Sequence, residues 1–402
     1  MKRGSFLLVA MLVIAAIIIF DPLQFFRKRG DITWKPRVDE ESLQPYVEFA
    51  QSRRQSPEDF VISTFGSHDI VFLGELQKIQ QTPQFVARLI PLLYAAGVRN
   101  LGIEYALSDS QAEIDALLSR PAYNELKARA IAFEWIVTWG FQEYMDIFKA
   151  AWQLNSALPA GASPMRIVGL SVRQNWEFLK TEEDAKNPET LAKIMANGIP
   201  DAHMAAVIER EFLRKGQKAL VYCSIQHAFT RYRSKEYEKN AAAAKLSETR
   251  RAGNIVFDRI GSKAFTIYVH SPWMDASSQN GTVYPVDGMV DALIDALPAE
   301  KKYAGFNLAG TPLGELAVRA SSYASGYQSL RLSDLCDGYV ILGPISEYRA
   351  VTPIPDFVPV DGVDYAIRNF PGAKPAELSR EDLNQAIVKD AETMAQMLSR
   401  FK

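Results

Sequence analysis

Two short apolar runs that each end on a glutamate constrain the fold of this chain more than any other feature. They occupy residues 71–75 (Val-Phe-Leu-Gly-Glu) and 101–104 (Leu-Gly-Ile-Glu), and a helix signature with Thr82 as N-cap followed by proline lies between them. A strand, a helix and a strand of this length predict two parallel strands joined by a right-handed crossover. Glu75 and Glu104 are then expected at the carboxyl edge of one sheet, where open α/β sheets bind ligands.

Further apolar runs continue this alternation along the chain. Each has the length of a buried strand, and helical patterns separate them; they occupy residues 166–170, 218–223, 264–269 and 338–343. The pattern predicts an α/β fold with a predominantly parallel sheet and helices on both faces. Each glutamate alone is explained equally well as a polar residue ending a strand in a solvated loop, whereas two at one edge favour a site.

Charge and cysteine content exclude some classes of function. The formal net charge is −2 over 402 residues, and no basic, aromatic-interleaved surface is apparent, so nucleic acid is not an expected partner. The only cysteines are Cys223 and Cys336. A disulfide between them is compatible with this count, but two cysteines do not imply a disulfide framework.

The amino terminus has the pattern of a membrane anchor. An apolar run over residues 6–20 is flanked by basic residues on both sides, and its last four residues, Ile-Ile-Ile-Phe, offer none of the small residues that a signal cleavage site needs. We predict a transmembrane signal-anchor helix that contacts the bilayer through residues 5–26 and exports the domain behind it, giving a single-pass membrane protein with a periplasmic domain. A secretory signal cut at an atypical place is the alternative.

The predicted organisation has three parts. Residues 1–30 form the membrane anchor, residues 31–56 a polar stalk with one helix, and residues 57–402 a single α/β domain. No internal repeat or low-complexity tract divides the last part.

Acid and base side chains follow several of the predicted strands. Glu75, Glu104, His227 and His270 each come just after a strand, and Arg231 follows closely on His227. A neutral His227 can accept a proton from water while a glutamate orients it or stabilises the imidazolium, and Arg231 can bind an oxyanion. A lone histidine after a strand more often has a structural role, and this interpretation is favoured for His270 even more than for His227.

The chain lacks the motifs of several common enzyme classes. It has no Gly-x-Ser-x-Gly elbow, no P-loop, no Gly-x-Gly-x-x-Gly and no zinc-ligand spacing. A divalent metal would therefore need ligands gathered from separate strands, and Glu75, Glu104 and His227 are the candidates.

Short motifs along the chain resemble the erythromycin esterase-like, ChaN and TIKI/TraB superfamily. They are Phe72-Leu73-Gly74-Glu75, Ile103-Glu104, Trp139-x3-Glu143-x8-Trp152-x2-Asn155, Ile167-Val168-Gly169, Ser224-x-x-His227 and the run from Leu335 to Val340. The resemblance spans residues 71–343. It implies an α/β fold whose members include hydrolases of lactone or peptide bonds and haem-binding lipoproteins, with Glu75 and Glu104 at the family's acidic positions.

The first of these motifs departs from the family pattern. The family has a histidine shortly after Gly-Glu, as general base in the esterases and as part of the proposed metal site in the TIKI branch; Leu76-Gln77-Lys78 stand here. Gln77 cannot titrate, and Lys78 can act as a base only if burial lowers its pKa. Both are nevertheless candidates, with Arg231 and His270, for substrate binding.

Two hypotheses about function follow. The first is a membrane-anchored hydrolase that activates water with His227, Glu75 and Glu104 to cleave a small ester, lactone or peptide. The second is a catalytically silent domain that binds a small molecule such as haem, with His227 or His270 as the axial ligand.

Overall fold

Strands and helices alternate along the part of the chain that the computed structural model describes. The described residues are 33, 35–181, 183–276, 281–372 and 378–401. The strands are β1 (Ile70–Glu75), β2 (Asn100–Leu107), β3 (Arg166–Ser171), β4 (Ala219–Ser224), β5 (Ala264–Val269), β6 (Trp273–Met274), β7 (Thr282–Val283), β8 (Ala304–Asn307) and β9 (Gly338–Ile341). The α-helices are α1 (Glu40–Arg53), α2 (Pro57–Thr64), α3 (Gln81–Ala95), α4 (Gln111–Leu118), α5 (Glu125–Trp135), α6 (Gln142–Ser156), α7 (Pro188–Ile194), α8 (Pro200–Glu211), α9 (Ile225–Ala228), α10 (Lys235–Ala243), α11 (Ala252–Ile260), α12 (Met289–Ala296), α13 (Leu332–Leu335), α14 (Val363–Asn369) and α15 (Arg380–Leu398).

A mostly parallel sheet forms the centre of the fold. Within the described residues it has seven strands in the order β3-β2-β4-β1-β5-β9-β8. All neighbours run parallel except β8, which pairs antiparallel with β9. The predicted α/β class is confirmed, but the antiparallel edge strand was not predicted, because four residues including a glycine carry too little pattern.

The predicted strand-helix-strand unit is present, with two corrections. Strands β1 and β2 are parallel but are not neighbours, since β4 lies between them. Helix α3 begins at Gln81, and Thr82 lies inside its first turn rather than at its N-cap. The Gln81 side chain, which bonds to the backbone of Glu347 and Arg349, helps to fix this turn.

Alternate residues of the central strands build two apolar layers. Val71 and Leu73 of β1 face one layer, which includes α3, α5, α6 and α15. Ile70 and Phe72 face the other, which includes α1, α8, α11 and α12. Helices thus cover both faces, as predicted for a buried parallel sheet.

Residues 40–53 belong to the folded domain and do not form a stalk. Ala50 of α1 is fully buried, and the Phe49 ring lies 5.7 Å from the Phe306 ring of β8. The backbone N–H of Gly305 also donates to Gln55 O at 3.0 Å. The boundary predicted at residue 57 is therefore too late, because the sequence-based interpretation gave weight to the polar face of α1 and not to its buried one.

The predicted signal anchor, residues 1–30, lies outside the described residues. Among the helices that the structure describes, none combines the length and the apolar character needed to cross a membrane. Cys223 and Cys336 are both buried free thiols, so the disulfide left open by the sequence is not formed.

A segment that follows β9 returns across the loops at the carboxyl edge of the sheet. We call residues 349–354 the crossing segment. Its Val351 N–H donates to Lys78 O at 3.1 Å, and its Arg349 O accepts from the Gln80 N–H at 2.8 Å. Further along, the Ile354 N–H donates to Gly140 O at 2.8 Å.

Glu143, at the start of α6, fastens the crossing segment. Its carboxylate accepts from the backbone N–H of Thr352 at 2.9 Å and from the Thr352 hydroxyl at 2.8 Å. It also accepts from the Gln80 amide at 2.7 Å. This buried glutamate therefore ties two loops together at the edge where the site residues lie.

Candidate functional site

His227 lies between two carboxylates at the carboxyl edge of the sheet. Its Nδ1 atom is 2.7 Å from Asp201 Oδ1, and its Nε2 atom is 3.6 Å from Glu104 Oε1. A carboxylate only accepts hydrogen bonds, so Asp201 fixes the tautomer with a proton on Nδ1. The side chains of His227 and Glu104 are 13% and 10% exposed, while Asp201 is fully buried.

Close packing at Gly74 brings His227 to this position. A Cβ atom on Gly74 would lie 2.3 Å from Ile225 Cδ1 and 2.9 Å from Ile225 Cα. Because glycine has no Cβ, α9 packs directly against β1 one residue before Glu75. The Ser224 N–H, between β4 and α9, donates to Glu104 Oε2 at 2.6 Å and holds that carboxylate beside the imidazole.

Asp201 keeps its negative charge although it is buried. Burial alone raises the pKa of this carboxyl, but His227, Arg251 and hydrogen bonds outweigh that effect and lower it to about 2. Its donors include the Ala252 N–H at 2.8 Å and Arg251 Nη1 at 3.3 Å. The Arg251 guanidinium lies 3.5 Å from the Tyr237 ring centroid, which keeps it over the aromatic face.

The same neighbours make His227 more basic than an ordinary histidine. Burial lowers the pKa of its imidazole, but the charges of Asp201 and Glu104 outweigh burial and raise it above the usual value. His227 is thus stabilised as an imidazolium.

Glu75 lies in a separate and more apolar environment. It is 1% exposed; its Oε1 accepts from the Tyr144 hydroxyl at 3.0 Å and its Oε2 accepts from the Tyr222 hydroxyl. Burial raises the pKa of Glu75 to about 8, with the two tyrosine hydrogen bonds opposing the shift. The Tyr105 ring packs on both tyrosines, at centroid distances of 4.7 and 5.5 Å.

The two predicted acids lie in different environments at the same edge. Glu75 continues the Val71–Leu73 face of β1 and bonds to Tyr222 of β4. Glu104 lies at an irregular part of the β2–β3 pairing, where the register shifts between Ile103 and Leu107. Such irregularities redirect side chains, and Glu104 meets His227 and not the tyrosines around Glu75.

Gln77 and Lys78 occupy the loop that joins these environments. Gln77 Nε2 donates to Glu104 Oε1 at 3.3 Å. The Lys78 N–H donates to the Tyr144 hydroxyl at 3.0 Å, and Lys78 Nζ pairs with Asp390 Oδ2 of α15 at 2.5 Å. Lys78 therefore pairs with neither predicted catalytic glutamate.

Arg231 does not reach the site. Its guanidinium bonds to Asp337 Oδ1 at 2.5 Å, immediately before β9 and thus at the amino edge of the sheet. The chain runs back along β5 after α9, as the hydrogen bond from the Thr230 N–H to Thr266 shows. The proposed role of Arg231 as an oxyanion ligand is wrong for this reason.

His270 is a buried residue with partners on both ring nitrogens. Its Nδ1 is 2.9 Å from the Tyr339 hydroxyl and its Nε2 is 3.3 Å from Asp291 Oδ1. It is fully buried, so this placement agrees with the structural role favoured from sequence and gives no contact with a substrate.

The candidate metal ligands do not form a metal site. In the described parts of the chain, no group of three or more His, Cys, Asp or Glu residues is arranged to hold a metal ion. Glu75 bonds to tyrosines instead of converging with Glu104 and His227.

Asp201 is the site residue that the sequence analysis missed. A signal for it exists, because Asp201 shares the buried stripe of α8 with Met204, Ala205 and Ile208 at helical spacing. A carboxylate on such a stripe needs a buried partner. The partners here, His227 and Arg251, are distant in sequence.

The fold of this chain is similar to that of a solved succinoglycan biosynthesis protein. The chain is 12% identical to a succinoglycan biosynthesis protein, with a TM-score of 0.52 over 79% of this chain and 99% of that one. A protein of Bacillus cereus is also 12% identical over the same shares, with a TM-score of 0.43. ChaN of Campylobacter jejuni, described with cofacial haem binding, is 14% identical over 56% of this chain and 89% of that one, with a TM-score of 0.36.

A family match covers the strands that carry the site. No curated protein matches the chain. Residues 61–230 match the family described as haem-binding uptake, Tiki superfamily, ChaN. These residues include Glu75, Glu104, Asp201 and His227, so the match falls on the part of the chain whose motifs resemble the ChaN/Tiki superfamily.

Proposed function

We propose that the chain is a hydrolase of a small ester or lactone, with His227 as general base. The observation that carries this proposal is an imidazole held between a buried aspartate at 2.7 Å and a partly accessible glutamate at 3.6 Å. A histidine whose Nδ1 is fixed by a carboxylate presents its Nε2 for proton transfer.

In the proposed reaction a water molecule binds against His227 Nε2 and Glu104 Oε1. Nε2 takes a proton from this water as the oxygen attacks the substrate carbonyl, and later gives that proton to the leaving alcohol. Asp201 and Glu104 stabilise the imidazolium formed in between, as their effect on the His227 pKa indicates. Glu75 is too buried to contact this water and instead supports the loop that carries Gln77 and Lys78.

Replacing His227 by glutamine tests the proposal. We expect hydrolysis of p-nitrophenyl acetate or of a responsive lactone to fall by at least about 100-fold, the usual contribution of a general base. The matched control is His68→Gln, because His68 lies just before β1 at the opposite edge. Unchanged turnover in His227→Gln, or none in the wild type above buffer, contradicts the proposal.

A second candidate is ligand binding without turnover, and the contact of Gln77 favours it. Gln77 stands where the resemblance places a histidine, and its neutral amide donates a hydrogen bond to Glu104 Oε1 at 3.3 Å. An amide cannot transfer protons. This candidate predicts saturable binding of a lactone with no product in the same assay.

Haem does not fit the two histidines suggested as axial ligands. His270 is fully buried with both nitrogens bonded, and His227 Nδ1 and Nε2 face Asp201 and Glu104. An axial imidazole needs a free nitrogen facing an open crevice. We expect no saturable Soret shift that depends on either histidine, and a shift lost in His227→Ala would contradict this.

We also propose that residues 5–26 anchor the chain in a bilayer with the α/β domain outside the cytoplasm. The apolar run and its missing cleavage site support this proposal. A reporter active only outside the cytoplasm, fused to Lys402, should be active. An inactive reporter, with activity from a cytoplasmic one, overturns the proposed orientation.

A further inference from the structure

Beside Glu75, two buried hydrogen-bond donors lack an acceptor among the residues that the structure describes. The Tyr105 hydroxyl and the Trp139 indole N–H belong to side chains that are 1% and 2% exposed, and neither atom has a hydrogen-bond partner within those residues. Their rings stack at a centroid distance of 6.4 Å. Buried donors without acceptors are costly, so each such donor calls for a physical explanation, and a bound group that accepts the hydrogen bond is one of them.

A third donor, the Lys78 ammonium, lies over the Trp139 ring. Lys78 Nζ is 5.4 Å from the Trp139 ring centroid. Lys78 has φ of +71°, a conformation that is uncommon for a residue with a side chain and that aims it across Trp139. Strain of this kind is concentrated at binding sites.

Asp390 supplies the carboxylate that now contacts Lys78. It lies on the inner face of α15, at helical spacing from the buried Leu383, Ile387 and Met397. Its Oδ2 atom is 2.5 Å from Lys78 Nζ, and the two side chains are 18% and 16% exposed. An acidic residue on an apolar stripe is unfavourable unless its position has a specific partner.

We propose that Lys78, the Tyr105 hydroxyl and the Trp139 indole N–H form a subsite for the carboxylate group of a small aromatic or apolar acid. When no ligand is bound, the Asp390 carboxylate pairs with Lys78 in place of the ligand carboxylate. This inference rests on the proposed function, which places a small molecule at the carboxyl edge of the sheet. It adds that this molecule carries a carboxylate group. Two carboxylate oxygens suffice to accept from all three donors, whereas the Asp390 contact serves only Lys78.

Titration of the full-length protein with benzoate, followed by tryptophan fluorescence and calorimetry, tests the subsite. Asp390→Asn leaves Lys78 without its internal carboxylate, so benzoate should bind at least about tenfold tighter than to the wild type. Glu392→Gln is the matched control, because it removes one negative charge from the exposed side of the same helix. It should leave benzoate affinity unchanged.

Three further measurements make the result specific. Benzamide, the neutral analogue, should bind no tighter to Asp390→Asn than to the wild type. Adding Lys78→Met or Trp139→Phe to Asp390→Asn should weaken benzoate several-fold or more. Asp390→Ser frees the lysine by a second route, should Asp390→Asn fold poorly.

Equal benzoate affinity in Asp390→Asn, Asp390→Ser and the wild type overturns the subsite, and so does equal tightening for benzamide. None of these readouts requires turnover. If His227→Gln retains full hydrolysis while benzoate behaves as expected, only the proposed reaction fails; if hydrolysis depends on His227 but benzoate does not respond to Asp390, only the subsite fails.

Discussion

Asp201 and Glu75 are two buried carboxyl groups at the same edge of one sheet, yet Asp201 is ionised at neutral pH and Glu75 is protonated. Their exposed fractions are 0% and 1%, and their pKa values are about 2 and about 8. Burial raises both values. Asp201 is surrounded by an imidazole, a guanidinium and a backbone N–H, whereas Glu75 has only tyrosine hydroxyls.

This difference shows that the position of a carboxylate at a strand or helix end does not determine its charge. Hydroxyl donors stabilise a carboxylate less than a cation does, so a buried glutamate among tyrosines remains protonated at neutral pH. The two regions therefore differ in charge: the Asp201 region holds charged groups beside the partly exposed His227 and Glu104, and the Glu75 region is neutral.

The largest expected effect is on stability, in Asp201→Asn. This variant removes the buried counter-charge of Arg251 and leaves His227 with Glu104 alone, so unfolding free energy should fall by about 4 kcal/mol, as for other broken buried pairs. Glu75→Gln is the matched comparison, because it replaces a carboxyl that is already neutral at pH 7 and should cost about 1 kcal/mol or less. Equal losses in urea denaturation would contradict the proposed difference in charge.

The second-largest effect is expected in how the free energy of unfolding depends on pH, which should differ between the Glu75 and Asp201 regions. The native state retains the Glu75 proton that the unfolded chain releases above its usual pKa of 4.5. The stabilisation is complete below that pH and is lost as pH rises towards 8, so between pH 4.5 and pH 7 the wild type should lose about 3 kcal/mol relative to Glu75→Gln. Parallel pH profiles for the two proteins would show that Glu75 is ionised when folded.

Asp201 should affect stability at lower pH, and its contribution should increase with pH where that of Glu75 decreases. Its folded pKa of about 2 lies below the usual 3.8, so its contribution is present above pH 3.8 and is lost as pH falls towards 2. The comparison of wild type with Glu75→Gln is made between pH 4.5 and pH 7, where the contribution of Asp201 no longer changes with pH.

A smaller effect is expected on the titration of His227. Glu104→Gln removes one of the two charges that raise the pKa of this imidazole, so that pKa should fall. Resonances of the His227 ring protons followed by NMR against pH measure it. Glu75→Gln should leave the His227 pKa unchanged, and an equal shift in both variants would show that the two regions are coupled.

The smallest effect is expected from Gln77→Ala. It removes one hydrogen bond of 3.3 Å to Glu104, so stability should change by less than about 1 kcal/mol and turnover by less than about fivefold. Gln80→Ala, which removes the 2.7 Å bond to Glu143, should cost more. A loss for Gln77→Ala that exceeds the loss for Gln80→Ala would assign Gln77 a direct part in the reaction.

Local pattern was sufficient to predict most of the secondary structure. The strand 264–269 has the predicted bounds, and Ser379 forms a capping box at the start of α15. Runs of β-branched and aromatic residues, and a capping box, determine such elements within a few residues of sequence. The same reasoning placed Glu75, Glu104 and His227 just beyond strand ends; Glu75 is the last residue of β1 and His227 follows β4, but Glu104 lies inside β2, which continues to Leu107.

The arrangement of the site was less predictable, because it depends on contacts between distant residues. The insertion of β4 between β1 and β2 separates the two glutamates, and no local pattern specifies strand order. Asp201 reaches His227 across 26 positions and Lys78 reaches Asp390 across 312, a sequence separation at which side-chain spacing carries no information. Arg231 was misplaced because the backward course of the chain along β5 is also a tertiary feature.

The crossing segment has a consequence for the order in which this protein acquires its structure. The loop at Lys78 to Gln80 receives its backbone partners from Arg349 and Val351, and its ion pair from Asp390. A chain synthesised from its amino terminus has formed the sequence of β1 long before these partners exist, and contacts of such separation form slowly. We therefore expect the loop beside the site to reach its final form only after residues 349–390 are present, because a chain that ends before them lacks the backbone partners and the ion pair of this loop.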